Sequence, residues 1–255
     1  LEGNTLKAKR VLLIDGDIVA FKISIVAEKP IHWGDDVWTM HVDVAEARGL
    51  TEAYIHDLMA DLKADEYRIA LSDMTNFRKL LNPDYKSNRK GKRKPMCYPE
   101  LKLWMRVQHG AAILPTLEAD DVIGIWATEE TTEDRIIVSI DKDFQTIPSR
   151  RYNPDKPELG IESSTKEEAD YFHFIQTLAG DSTDGYSGVP RIGVKTADKI
   201  LKGKCDWDKV LECYGEYGMT EEDALMNARM ARILRFGEYR VRKGVDLWTP
   251  EKSLG

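Results

Sequence analysis

Cysteine is scarce in this chain. The three present, Cys97, Cys205 and Cys213, show neither paired spacing nor the close spacing of zinc ligands. That excludes a disulfide framework and points to a reducing cytosol. With only five histidines as well, no structural zinc is expected. No apolar run approaches the length of a membrane span, and no signal peptide precedes the first strand-like run, so neither membrane nor export is expected. Positive charge is in deficit too: the formal net charge is −7. This argues mildly against bulk attraction to nucleic acid, unless the acids are concentrated in one place. What is present is ample core: 255 residues with 42% hydrophobic and 32% charged content suit one large domain or two modest ones.

The acids are indeed concentrated. Four apolar runs end in a carboxylate: VLLID at Asp15, YRIALSD at Asp73, AAILPTLEADD at Glu118, Asp120 and Asp121, and RIIVSIDKD at Asp141 and Asp143. Each run is short, rich in Val, Ile and Leu, and not alternating, as buried parallel strands are. Helical patterns lie between them, at 44–64, 101–109 and 120–130. Alternating strands and helices predict an open, mostly parallel α/β sheet flanked by helices, with its site beyond the carboxyl ends of the strands. Any one of these acids alone reads best as a turn or N-cap residue. Four in succession do not.

So many carboxylates at one edge require a counter-charge. Oxygen-rich clusters select hard cations such as Mg²⁺ or Mn²⁺. Two such ions about 4 Å apart activate a water and stabilise the leaving oxygen of a phosphodiester. Metal-assisted phosphodiester hydrolysis is the first expectation.

The segment KSNRKGKRK, Lys86 to Lys94, carries six positive residues (Lys86, Arg89, Lys90, Lys92, Arg93, Lys94) and no acid. Such a run usually forms a solvated loop. Here it follows a strand that ends in an acid, and Tyr85 and Tyr98 bracket it. A basic segment over an acidic metal site suits a polyanionic substrate. Setting aside nine acids (Asp15, Asp73, Glu118, Asp120, Asp121, Asp141, Asp143, Asp181 and Asp184) takes the formal charge from −7 to +2.

Asp181 and Asp184 open a loop, GDSTDGYSGVPRIGVKT, that continues as a glycine turn into a lysine-bearing helix over 194–202. The turn is no nucleotide P-loop, because Val194 separates Gly193 from Lys195 and no strand precedes it. A helix–turn–helix that offers backbone N–H groups to a phosphate fits better. Gly193 is expected to need a positive φ or a bare backbone beside that phosphate.

Taken in order, Asp15, Ser72–Asp73, FRKLLNPDYKSNR, EADD, DKDF, GDSTDGYSGVPRIG and KTADKIL resemble the flap-endonuclease-type 5′→3′ exonucleases. The stretch MTEEDALMNARMARILRFGEY more narrowly resembles the exonucleases of short-tailed, podovirus-type phages. The likeness runs from about residue 10 to the C-terminus.

The resemblance implies a PIN-like α/β domain over 1–164, with a basic helical arch at about 82–110. A helical DNA-binding region with a helix–three-turn–helix would occupy 165–255. By motif position, Asp15, Asp73, Glu118, Asp120 and Asp121 would serve a first Mg²⁺ or Mn²⁺, and Asp141, Asp143, Asp181 and Asp184 a second. Lys86 would neutralise the scissile phosphate with Arg89 beside it, so that Lys86, Arg89, Asp15, Asp73, Asp120 and Asp143 form the catalytic set. Tyr85 would support or stack on the terminal nucleotide, and Lys90, Lys92, Arg93 and Lys94 would line the arch. Gly188, Arg191, Gly193, Lys195 and Thr196 would grip duplex backbone with a K⁺ ion. Arg191 stands where the family often has a smaller residue, and Asp17 has no family role. The implied partners are double-stranded DNA with 5′ ends or flaps, RNA–DNA hybrids and phage replication proteins. The implied state is a monomer in the host bacterial cytoplasm, with no membrane.

Two other readings stand beside this one. VLLIDGDIV matches the nucleophile motif of haloacid-dehalogenase-type phosphotransferases, in which Asp15 would be phosphorylated and Asp17 would be the general acid. In that case GDSTD should follow a strand, yet it follows the helical FHFIQTLA, and EADD has no role. The other reading is a non-catalytic DNA-binding module, for which an unused acidic cluster would only cost stability.

Overall fold

The structure, a computed structural model, describes residues 8–250. The chain runs β1 (Arg10–Asp15), α1 (Gly16–Ala27), β2 (Glu28–Gly34), β3 (Val37–Val42), α2 (Val44–Asp61), β4 (Glu66–Ala70), α3 (Phe77–Leu81), α4 (Tyr98–Gln108) and α5 (Ala119–Thr128). It continues through β5 (Asp134–Val138), β6 (Arg150–Tyr152), β7 (Ile161–Ser163), α6 (Lys166–Ala179), α7 (Val194–Leu201), α8 (Trp207–Glu216) and α9 (Glu221–Ala231), and ends in a ribbon of β8 (Tyr239–Arg240) and β9 (Gly244–Val245).

The main sheet has the order β4-β1-β5-β6-β7. β4, β1, β5 and β6 pair in parallel, while β7 is antiparallel at the edge. β1 is central and covered on both faces, so Val11, Leu12, Leu13 and Ile14 are all fully buried. This is why its sequence reads as a continuous apolar run. Leu12 and Ile14 pack with α1, α2 and α4 on one face. Val11 and Leu13 pack with α5 on the other, joined by Ile233 and Leu234 from the far end of the chain. The helices after the sheet have a core of their own, around Phe174, Leu178, Leu201 and Tyr214. The segment after α9 therefore belongs to the core of the α/β layer, although the sequence placed it with the helices.

Three of the four apolar runs are strands. The fourth, AAILP, lies beside β4 but forms only an isolated parallel bridge, Ala70 to Ala112. The chain turns away just beyond, at Pro115, where Leu117 N closes a turn on the Leu114 carbonyl. The arch differs from expectation in a similar way. Residues 82–97 are turns around one short 3-10 helix, Ser87–Arg89, and regular helix begins only at Tyr98. Pro83, Gly91 and Pro95, together with charges of one sign, oppose a helix there. The hairpin of β2 and β3 matches no expectation from the sequence.

Candidate active site

Parallel pairing puts the C-terminal ends of β1, β4 and β5 at one edge. Asp15 ends β1 and caps α1, accepting from Ile18 N at 3.2 Å. It is 5% exposed, and burial, with the charges of Asp17 and Asp141, pushes its carboxyl up to about 7. Ser139, just past β5, donates its hydroxyl to Asp15 at 3.2 Å and accepts from Asp141 N at 3.1 Å. Asp141 in turn caps the 3-10 helix Lys142–Thr146 and accepts from Asp143 N. Burial and the charge of Asp141 push Asp143 up to about 7.

Asp120 lies in the first turn of α5, where the helix dipole favours acids. Burial and the charge of Glu118 push its carboxyl upward. Glu118 behaves oppositely. Burial works against its ionisation, but Lys86 and Arg78 overcome that and hold it at about 2. Lys86 Nζ donates to Glu118 at 2.7 Å and stands 3.5 Å from Asp184. Arg89 donates to Asp184 at 2.6 Å, and Lys142 lies 3.2 Å from Asp181. Tyr85 donates its hydroxyl to Glu118 at 2.8 Å. The base of the basic segment is thus docked on the acids from both groups.

Two expectations, on Asp121 and on the stacking of Tyr85, are corrected. Asp121 is fully buried, and both its oxygens accept from Arg78 at 2.8 Å, with Leu234 N adding a third contact. One helical position turns it from the site into the core, so it holds the fold and not an ion. Asp73 makes local turn contacts: its oxygens accept from Met74 N, the Thr75 hydroxyl and Thr116 N. Tyr85 is 3% exposed and packs with Tyr186, Met230 and Ala231, so its ring is not open to stack on a nucleotide.

In the loop that begins at Asp181, Gly188 has a positive φ of 50° but Gly193 does not. Gly193 is extended at φ −100°, and a Cβ there would meet nothing within 4 Å. The left-handed position of that turn is Arg191, at φ 65°. Arg191, Lys195 and Thr196 are exposed around the N-terminus of α7. Further along the basic segment Lys90 and Lys92 are exposed, Arg93 pairs with Glu28 at 2.7 Å, and Lys94 lies over the Tyr98 ring at 5.4 Å.

The sequence did not reveal several participants. Arg78, 2% exposed, ties Asp121 and Glu118 to the carbonyls of Met230 and Arg232. Asp17 lies 2.7 Å from Lys102 and accepts from Ser72 N. Gln176 donates to Asp143 at 2.6 Å. A buried arginine inside FRKLL looks like any other member of a basic motif, so no signal marked it.

The donor set fits a hard divalent cation. It is all oxygen, and Asp15, Asp120 and Asp143 lack full counter-charge. Among the described residues no three of these acids, cysteines or histidines converge into a ready-made cage. Lys86, Arg89 and Lys142 occupy Glu118, Asp184 and Asp181 instead.

A parallel α/β sheet with an acid edge beneath a lysine–arginine segment defines an enzyme of the nuclease class. Residues 10–168 match the family model of the 5′–3′ exonuclease N-terminal resolvase-like domain. The exodeoxyribonuclease of enterobacteria phage T3 is 34% identical over 95% of this chain and 93% of its own. The exonuclease of Escherichia phage T7 is likewise 34% identical, over 95% and 94%. In fold the chain is similar to a bacteriophage T5 flap endonuclease solved as a pseudo-enzyme-product complex with DNA and metal ions. The TM-score is 0.65 at 16% identity, covering 88% of this chain and 89% of that one. The chain belongs to the 5′–3′ exonuclease family, and it is a nuclease.

Proposed function

We propose that the protein is a divalent-metal-dependent 5′→3′ exodeoxyribonuclease that hydrolyses duplex DNA from its 5′ ends and also cuts 5′ flaps and RNA hybridised to DNA. The observation that carries this is Lys86, held between Glu118 and Asp184, so that one ammonium touches both acid groups. Asp15, Glu118 and Asp120 would hold one Mg²⁺ or Mn²⁺, and Asp141, Asp143, Asp181 and Asp184 the other. When bound, the ions supply a nucleophilic water at neutral pH and stabilise the leaving oxygen. Lys86 and Arg89, paired here with Glu118 and Asp184, would neutralise the scissile phosphate. Lys90 and Lys92 hold the strand by charge.

The division at 164/165 would give most of the acids to the α/β part, and the duplex grip together with Asp181 and Asp184 to the helical part. Arg191, Lys195, Thr196 and the Gly188–Gly193 turn would grip the backbone with K⁺. A monomer acting in the host cytoplasm beside phage replication proteins, in primer removal, recombination and host-DNA breakdown, fits the similarity to phage exonucleases. The phage T5 complex with DNA and metal ions supports the substrate and the ions. The test is release of label from a duplex marked at either end, with Mg²⁺ and with chelator. Loss of the 5′ label first, only with Mg²⁺, supports the reading; chelator-resistant release from either end contradicts it.

A further inference from the structure

Gln176 sits on α6 at 4% exposure, directly behind the second acid group. Its Nε2 donates to Asp143 Oδ1 at 2.6 Å. Its carbonyl accepts from Gly180 N at 2.8 Å, where the Asp181–Asp184 loop begins. The backbone bond closes the last turn of α6, and the side chain reaches Asp143 from that same turn. Its Oε1 is buried without a protein partner. An unpaired buried amide oxygen costs stability, so the side chain is not placed there for the fold alone.

We propose that Gln176 is a positioning residue that fixes the Asp143 carboxylate for a divalent cation. The inference rests on the reading of Asp143 as a metal ligand. A neutral donor suits the task. A cation in its place would neutralise the charge an ion needs, and an apolar side chain would let the carboxylate rotate. α6 is a rigid support, packed on the 3-10 helix that carries Asp143.

The experiment is calorimetric titration of the full chain with Mn²⁺ alone, for wild type, Gln176→Leu, Gln176→Met and Asp143→Asn. Removing the donor should weaken the Asp143-dependent binding event by about 10–100-fold, the usual effect of losing an outer-shell partner. The thermal midpoint of the metal-free Gln176→Leu protein should not fall, because the unpaired oxygen goes with the donor. Half-maximal cleavage should need more Mn²⁺, with a far smaller drop in kcat at saturation. Gln176→Met, closer in length, carries the test should Gln176→Leu fold poorly. Mn²⁺ affinity unchanged in both Gln176 variants, with Asp143→Asn weakened, overturns the inference. Equal Mn²⁺ binding by wild type and Asp143→Asn overturns the metal reading itself, and this inference with it.

Discussion

Gly180 and Gly188 stand back to back. A Cβ on either would fall on the backbone nitrogen of the other, well inside contact distance, and both have positive φ, at 67° and 50°. Val189 N bonds the Leu178 carbonyl and Asp181 N bonds the Tyr186 carbonyl across the same approach. This closed loop places Asp181 and Asp184 at one end and delivers the chain to α7 at the other.

Gly180→Ala or Gly188→Ala should therefore cost on the order of 2–4 kcal/mol, combining backbone clash with an unfavourable φ. Gly193→Ala, extended and facing open space, should stay within about 0.5 kcal/mol. Urea unfolding of the three variants measures this directly. Gly193→Val then reports on the grip alone: it should lower affinity for substrates with a duplex arm and scarcely change cutting of a short single strand. Equal loss on both substrates would mean that the turn supports the metal site.

Neighbouring acids in EADD should separate cleanly. Asp121→Ala strands the buried Arg78 guanidinium and should cost about 3–5 kcal/mol. Asp120→Ala leaves the core intact and should retain wild-type stability. Thermal melts in the absence of metal distinguish the two, and a stable Asp121→Ala protein would contradict the structural role given to that pair.

Lys86→Ala should slow the chemical step by on the order of 10²–10³ with a smaller change in affinity, as expected where negative charge develops. Lys92→Ala, exposed further along the segment, should mainly weaken binding and flatten its salt dependence. Single-turnover rates at saturating enzyme separate these. A wild-type rate for Lys86→Ala removes it from the catalytic set.

Acid should loosen the helical region through His173. The ring is 1% exposed and bonds the Ala228 carbonyl, and burial, with the charge of Arg232, holds it down at about 3. Its folded value lies below the unfolded value of about 6.5, so below that pH the unfolded chain takes the extra proton. Stability is therefore full above about pH 6.5 and falls towards pH 3, by about 2 kcal/mol at pH 5. Asp15 and Asp143, held up at about 7, act with the opposite sign. The comparison that isolates His173 is thus the loss between pH 7 and pH 5 in wild type against His173→Gln, which should lose less. Equal losses would mean that His173 does not carry the effect.

Much of this arrangement is legible in the chain because buried parallel strands write themselves as apolar runs, and β1, β4 and β5 do so. Their acids follow at the edge where such sheets place a site. What the runs could not show is direction. Asp120 and Asp121 are adjacent, and only the arrival of Arg78, 43 residues away, assigns one to the core. Asp73 ends its run as the others do, yet local turn contacts claim its oxygens. The β2–β3 hairpin escaped because both its faces are largely exposed and no core periodicity marks it. Its signal was the turn around Gly34 between two tryptophan-bearing strands. Gln176 was hidden inside an apolar helical stretch, where a single polar residue gives no sign of what it meets.

As one catalytic unit, the two acid groups should serve chemistry and not binding. The direct measurement pairs gel-shift affinity with single-turnover cleavage of a 5′-flapped duplex in Mg²⁺, for Asp120→Ala and Asp143→Ala. Each variant should lose cleavage by at least about 10³-fold, while its affinity for the duplex stays within about threefold of wild type. Retained cleavage in either variant, or affinity lost in parallel with cleavage, would contradict it.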